Sequence, residues 1–242
     1  MTSTRLTILT AGGDMPAHLW LPESGSGPGI LLLQEIFGIS PYIEQRAQDL
    51  ADLGHVVLAP EIFWRLGVSR VEEGPEALDT AMGLLQQVDW RAAVGDSIAA
   101  LEVLRERDEV TGDVGVVGFC FGGGLAFDVA ARTEVDALVS YYGSALPALL
   151  GIVDGVPAQA GLGPEAVTAP SLHHFGLSDS YIEPDKVEQV RQAVSGEGVE
   201  FETYEGADHA FDNPDFFLHD PEASRLAWER TSAWLTEKLT RG

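Results

Sequence analysis

Cys120 is the only cysteine among the 242 residues, and it lies in VVGFCFGGGLAF, a glycine-rich bend between two apolar runs. Gly118-Phe119-Cys120-Phe121-Gly122 has the small-x-nucleophile-x-glycine spacing of a nucleophile elbow. That elbow is a sharp strand-to-helix turn which lifts a reactive side chain off a sheet. The glycines serve a purpose there, because the two backbones nearly touch and the nucleophile's own dihedrals are strained. The N-terminus of the following helix also favours a thiolate. A buried structural cysteine on a glycine-rich turn is the plainer alternative, but it leaves the apolar strand, the spacing and the helix as a coincidence.

A thiol nucleophile wants a base, and the base wants a carboxylate to orient it. On such an elbow they follow in the order nucleophile, acid, histidine, on loops after later strands. Six histidines compete. His18 and His55 precede the elbow in strand-like stretches, His173 and His174 lie inside a strand, and His219 sits beside a helix cap. His209, in YEGADHAFDNP, follows a strand directly in a turn-rich loop and is the favoured base. Asp179, in HHFGLSDSYIEP, occupies the loop after the preceding strand and is the favoured acid. Its rivals are Asp154 in an irregular segment and Asp185 as a first-turn helix charge, while Asp208 adjoins the histidine but points the wrong way for a triad.

Glu35 ends GILLLQE, a run too apolar for a chance carboxylate. One account is a strand-end charge reaching solvent. The other is a semi-buried carboxylate at the carboxyl edge of the sheet, where ligands bind in open α/β folds, able to take the thiol proton or hold it neutral.

The elements that must position these groups alternate along the chain. RLTILT and MPAHLWLP read as a hairpin turning at AGGD, and PGILLLQE as a buried strand. Ser40 and Pro41 open a helix carrying Ile43, Ala47 and Leu50 inward, and Gly54 ends it. HVVLAP is a strand, followed by helices near residues 75–88 and 90–107. DVGVVGF, DALVSYYG, SLHHFG and VEFETYEG are further strands, with a helix after the elbow, another from Pro184 to near Gly196, and a last one from Asp220–Pro221 placing Trp228, Leu235 and Leu239 inward. Residues 145–169 read as a loop with room for a short helix. The expected fold class is α/β: a mostly parallel central sheet with helices on both faces and an N-terminal antiparallel hairpin, in one domain spanning residues 1–242.

Composition bounds the function. The net charge is −24, from 38 acidic and 14 basic residues, which repels nucleic acid and anionic membranes. The acidic residues are scattered rather than gathered in a tail, as solubility or a saline habitat would explain. No apolar run approaches a membrane span or a signal-peptide core. A lone cysteine excludes an internal disulfide and a cysteine-based zinc site. The expectation is a cytoplasmic protein, monomer or homodimer, with no metal, no cofactor, no nucleic-acid or membrane partner, and a small-molecule substrate.

QEIFG after an apolar strand, GFCFGG at the elbow, YYG after the next helix and the loops GLSD and GADHAF together resemble the dienelactone hydrolase family of the α/β-hydrolase fold, over essentially the whole chain. The resemblance implies Cys120 as nucleophile, His209 as base, Asp179 as its partner and Glu35 as the group that helps generate the thiolate. It also implies an oxyanion hole from the N–H groups of Ile36 and Phe121. In the best-known branch two arginines grip a substrate carboxylate; here alignment on AAVGD puts Leu78 at the first position, Met82 at a nearby tyrosine and Asn213 at the second arginine. Arg65 and Arg70 are nearby in sequence. The reading is therefore a hydrolase of small esters or lactones with a shifted, neutral substrate preference, its pocket walled by Phe37, Phe63, Trp64 and Phe121. A non-catalytic ligand-binding member of the fold and a redox-sensing thiol protein are the rivals, although no resolving cysteine exists for the latter.

Overall fold

The computed structural model describes residues 3–72, 74–154 and 166–240, so part of the expected 145–169 loop lies outside the described residues. Among these residues the strands are β1 (Thr4–Thr10), β2 (Gly13–Trp20), β3 (Gly27–Leu33), β4 (Val56–Pro60), β5 (Val110–Phe119), β6 (Ala137–Tyr141), β7 (Ser171–Gly176) and β8 (Val199–Tyr204). The helices are α1 (Pro41–Asp52), α2 (Ala77–Leu85), α3 (Trp90–Arg105), α4 (Phe121–Ala130), α5 (Leu146–Leu149), α6 (Pro184–Val194) and α7 (Pro221–Lys238), with a 3-10 turn at Ile62–Leu66. The strands form one α/β sheet ordered β1-β2-β4-β3-β5-β6-β7-β8. Its β3/β4, β6/β7 and β7/β8 pairs are parallel, whereas β1 and β2 form the antiparallel hairpin. No helix among the described residues is long and apolar enough to cross a membrane.

The chain divides into two compact units, one running to Gly115 and taking the final residues from Leu239, the other Val116–Lys238. In the first unit the hairpin turns at Ala11–Gly12, with Thr10 paired to Gly13 at φ 130°. Strands β3 and β4 are buried along their whole length. This is the pattern of strands covered on both faces. The Ser40 side chain caps α1 by accepting from the Ile43 N–H, and Asp89 caps α3 by accepting from Ala92. That second cap shortens its predecessor: α2 ends at Leu85 rather than residue 88, because Asp89 must be extended (ψ 105°). Of α2 only Ala81 is buried, which leaves Leu78 and Met82 half-buried.

In the second unit α4 is buried at all ten positions, an apolar helix with no solvent face. Glycine permits this, since a Cβ on Gly123 would fall 2.8 Å from the Tyr141 carbonyl and one on Gly124 would fall 2.6 Å from Ala145 Cβ. The buried stripe of α7 is Ala223, Ser224, Ala227, Thr231, Trp234 and Leu235, with Leu239 buried just beyond the helix. Trp228 is half-buried beside that stripe rather than within it. The reason is polar: Thr231 Oγ1 hydrogen-bonds both Tyr141 Oη (2.7 Å) and His174 Nε2 (2.9 Å), so the helix face is set by a small residue that seals a buried network.

Candidate active site

Cys120 stands between β5 and α4 with φ 53° and ψ −114°, outside the conformations an L-residue normally adopts. Its N–H donates to the Tyr141 carbonyl (3.0 Å), and its carbonyl accepts from Gly123 (3.0 Å) and Ser144 (3.2 Å). A Cβ on Gly118 would come within 2.0 Å of the Gly122 carbonyl oxygen, so this elbow closes only on glycine.

Two loops meet Cys120 within the second unit. After β7, Asp179 accepts through Oδ1 from the N–H groups of Tyr181 and Ile182 (both 2.8 Å). Its other oxygen, Oδ2, lies 2.8 Å from His209 Nδ1. After β8, Asp208 accepts from the N–H groups of Ser180 and His209 (both 2.6 Å), which ties the two loops together. This explains why Asp208 adjoins His209 in sequence without orienting its ring. His209 Nε2 then lies 3.0 Å from Cys120 Sγ. Asp154 and Asp185 are exposed, and Asp185 is engaged with Lys186 and Gln189.

Burial works against a charged His209, but the Cys120 charge, the Asp179 hydrogen bond and the hydrogen bond to sulfur outweigh it and hold the imidazole well above its ordinary range. This favours the imidazolium form of His209. Tyr181 stands half exposed with its ring 5.0 Å from His209. Its phenol is raised by burial and by the charges of Cys120, Asp208 and Asp179. Tyr142, fully buried, has its ring centroid 5.1 Å from the imidazole. Sequence reasoning passed over Tyr142 and Tyr181 as ring neighbours; the signal for Tyr181 is its place two residues after the acid. Among the described residues, three non-glycine positions have positive φ: Cys120, Tyr142 and Ala210. All three belong to this site or adjoin it, where strain of about 1–3 kcal/mol each is commonly stored.

Phe121 follows Cys120 and is buried, as is Asn213, whose side-chain oxygen accepts from Asp215 (2.9 Å) inside its own loop. Asp212 is buried and accepts from the Ser224 hydroxyl (2.8 Å). Among the described residues no group of three or more His, Cys, Asp or Glu is placed to hold a metal.

The remaining sequence candidates lie in the first unit. Glu35 is 1% exposed, so it is not a strand-end charge reaching solvent. Beside it Gln34 accepts from the Ile62 N–H (3.1 Å), and Gly38 N–H reaches the Glu35 carbonyl (3.3 Å). Ile36 and Phe63 are buried; Phe37 and Trp64 are half-buried. Arg65 is engaged: Nε and an Nη donate to buried Asp96 at 3.0 and 2.8 Å, and the guanidinium lies 4.6 Å over the Trp64 ring. Trp64 Nε1 donates to the same carboxylate (2.9 Å), and the hairpin turn at Gly12 rests against the guanidinium. Arg70 is more open, its nearest acidic partner Glu72 at 3.8 Å.

A model of the dienelactone hydrolase family matches residues 15–239. Carboxymethylenebutenolidase 1 of Cupriavidus pinatubonensis is 34% identical over 174 residues, covering 71% of this chain and 70% of its own. A carboxymethylenebutenolidase from a Pseudomonas species is 31% identical over 223 residues, covering 91% and 89%. Among solved structures, a putative dienelactone hydrolase from Klebsiella pneumoniae superposes with TM-score 0.80 at 24% identity over 97% of this chain and 98% of its own. That likeness is one of α/β-hydrolase fold.

Proposed function

The chain belongs to the dienelactone hydrolase family, and from that premise we propose that it hydrolyses small ester or lactone bonds through an acyl intermediate on Cys120. The observation that carries the reading is the unbroken line from Cys120 Sγ through His209 to Asp179, with contacts of 3.0 and 2.8 Å, on a strained elbow. Sγ attacks the carbonyl carbon, and the carbonyl π electrons move onto oxygen. The oxyanion is held by the Phe121 N–H and, by family resemblance, that of Ile36. Collapse breaks the C–O bond, and the leaving alkoxide takes the proton from His209 Nε2. His209 then draws a proton from water, whose oxygen attacks the thioester; the second collapse expels the thiolate and releases the acid. Asp179 keeps Nδ1 protonated and the ring in place throughout. The resemblance assigns Glu35 to the handling of the thiol proton before attack.

The substrate is a neutral small molecule. By resemblance, Leu78, Met82 and Asn213 stand in the sequence at the positions where the family's arginine-bearing branch grips a carboxylate. Two observations favour this: Arg65 is committed to Asp96, and Asp208 is held below the usual carboxylate range because hydrogen bonds from His209 and Ser180 outweigh its burial, so it stays anionic beside the base. The net charge of −24 likewise opposes nucleic acid as a partner.

The test is a matched pair of lactones, one with a free carboxylate and one its methyl ester, assayed at equal ionic strength. Loss of a charge-assisted bidentate contact is worth on the order of 10²-fold, so kcat/KM is expected to favour the methyl ester clearly. A preference for the free acid would show that a cation such as Arg70 serves the substrate.

A further inference from the structure

We propose that Ser144 is a positioning residue for Cys120: its hydroxyl donates to the thiolate sulfur, holds it in line with His209 and favours its charged form. The inference rests on Cys120 being the nucleophile as proposed above. In the thiol form Sγ donates to Ser144 Oγ across 4.0 Å, the outer limit of a hydrogen bond to sulfur; once the sulfur gives up its proton, the same pair can bond only with the hydroxyl as donor. His209 Nε2 is the other partner of that sulfur, at 3.0 Å.

The segment carrying Ser144 has little freedom to be elsewhere. Cys120 N–H donates to the Tyr141 carbonyl, and Ser144 N–H returns to the Cys120 carbonyl at 3.2 Å, so the chain is stitched to Cys120 at both ends of a four-residue span. Between them Tyr142 is held at φ 37° by its N–H bond to the His174 carbonyl (2.7 Å). At Gly143 a Cβ would fall 2.5 Å from Leu146 Cδ1 and 2.7 Å from Ser140 Oγ, so any side chain here would have to push its neighbours aside. The hydroxyl of a half-buried Ser144 is thus delivered beside the sulfur by backbone contacts alone.

The chemistry follows from which group keeps its proton. The S–H proton passes to His209 Nε2, giving thiolate and imidazolium, while Ser144 keeps its own and donates O–H to S⁻. A hydrogen bond to an ion is stronger than one to a neutral thiol or thioester, so the contact weights the resting state toward thiolate. The other titratable groups around the sulfur within its own unit are His209 with Asp179 behind it, Tyr181 and Asp208. None of them is altered by changing Ser144.

The experiment is alkylation of Cys120 by iodoacetamide from pH 5 to 10, read by mass spectrometry, in wild type, Ser144→Ala and Ser144→Thr, with thermal melts to confirm folding. No substrate is needed. For Ser144→Ala the profile is expected to move about one unit to higher pH. Because a more basic thiolate is also more nucleophilic, the curves should cross, with alkylation about threefold slower at the acid end and about threefold faster at the alkaline end. Ser144→Thr, which keeps the hydroxyl, should follow wild type. An alanine profile that overlays an acid-shifted wild type overturns the role of Ser144 alone. Equal shifts in the alanine and threonine variants overturn it too, by showing that packing and not the hydroxyl matters. A wild-type profile that rises only near pH 8.5, as for a free thiol, removes the activated nucleophile and this inference with it.

Discussion

Replacing Cys120 with alanine is expected to lower kcat on any ester or lactone the protein turns over by about 10⁴-fold or more, with the fold unchanged. On the proposed two-step route the size of the loss follows directly: without Sγ no acyl intermediate would form, and His209 could at best direct water at an ester in one difficult step. The fold should tolerate the change because Cys120 N–H and C=O, not its side chain, make the elbow's structural bonds to Tyr141, Gly123 and Ser144. His209→Ala should cost a similar factor, and the double variant little more than either alone, since residues acting as one unit are far from additive. Measuring kcat for the three variants, with thermal melts and near-UV dichroism alongside, checks all of this. A Cys120→Ala protein with kcat within tenfold of wild type would end the acyl-cysteine reading.

The second large effect is on stability in acid. His173 and His174 are both fully buried on β7. Burial pushes His173 down to about 4. It also pushes His174 far below its ordinary value, aided by the charges of His173 and Arg230. Such a histidine stays neutral in the fold but takes a proton near 6.5 once the chain unfolds, so the unfolded state binds more protons below that pH. Its contribution is therefore complete above about pH 6.5 and drains away as pH falls toward 4. For His173 alone the difference is on the order of 3 kcal/mol, a large part of a typical domain's stability. Protonation of surface carboxylates works the other way at first, because it relaxes the self-repulsion of a −24 chain. Urea unfolding between pH 7.5 and 4.5 should show stability falling nonetheless. His173→Leu should flatten that fall, because His173 hydrogen-bonds only Ser171 (3.2 Å) and its Nδ1 finds no partner among the described residues. A leucine variant with an unchanged pH slope would place the acid sensitivity elsewhere.

Much of the candidate site was legible because it is written locally. Small-x-Cys-x-Gly marks a backbone approach only glycine allows, and the order of Cys120, Asp179 and His209 follows from loops at one edge of a parallel sheet. The strands were legible for the same reason: ILLL and VVLA are apolar at every position, as burial on both faces demands. What escaped depends on partners far away in sequence. Nothing near Arg65 says that its guanidinium is spent on Asp96, 31 residues on. Thirty-one residues is also too far for periodicity to report. Trp228 looks like the natural inward residue of the last helix, yet the face is chosen by Thr231, whose value lies in reaching Tyr141 and His174. Ser144 carries no motif, and its significance comes from a backbone stitch to Cys120 that only the folded chain reveals. Helix α2 ends three residues before its apolar pattern does, because Asp89 must be extended to cap α3, and hydropathy does not report a cap.

The three positive-φ residues, Cys120, Tyr142 and Ala210, bear on the order in which the molecule fails. Each is held in a high-energy backbone conformation by its surroundings: by the Tyr141 carbonyl at Cys120, by the His174 carbonyl at Tyr142, and at Ala210 by a loop that closes through the Asn213 N–H (3.0 Å). A spring of this kind relaxes at the first slackening of what restrains it, long before the buried strands come apart. Warming or dilute urea should thus silence the enzyme while dichroism still reports an intact sheet, and cooling should restore it. The temperature at which turnover is lost should therefore lie below the temperature at which the chain melts, and relieving the strain at any of the three positions should shift the first without the second.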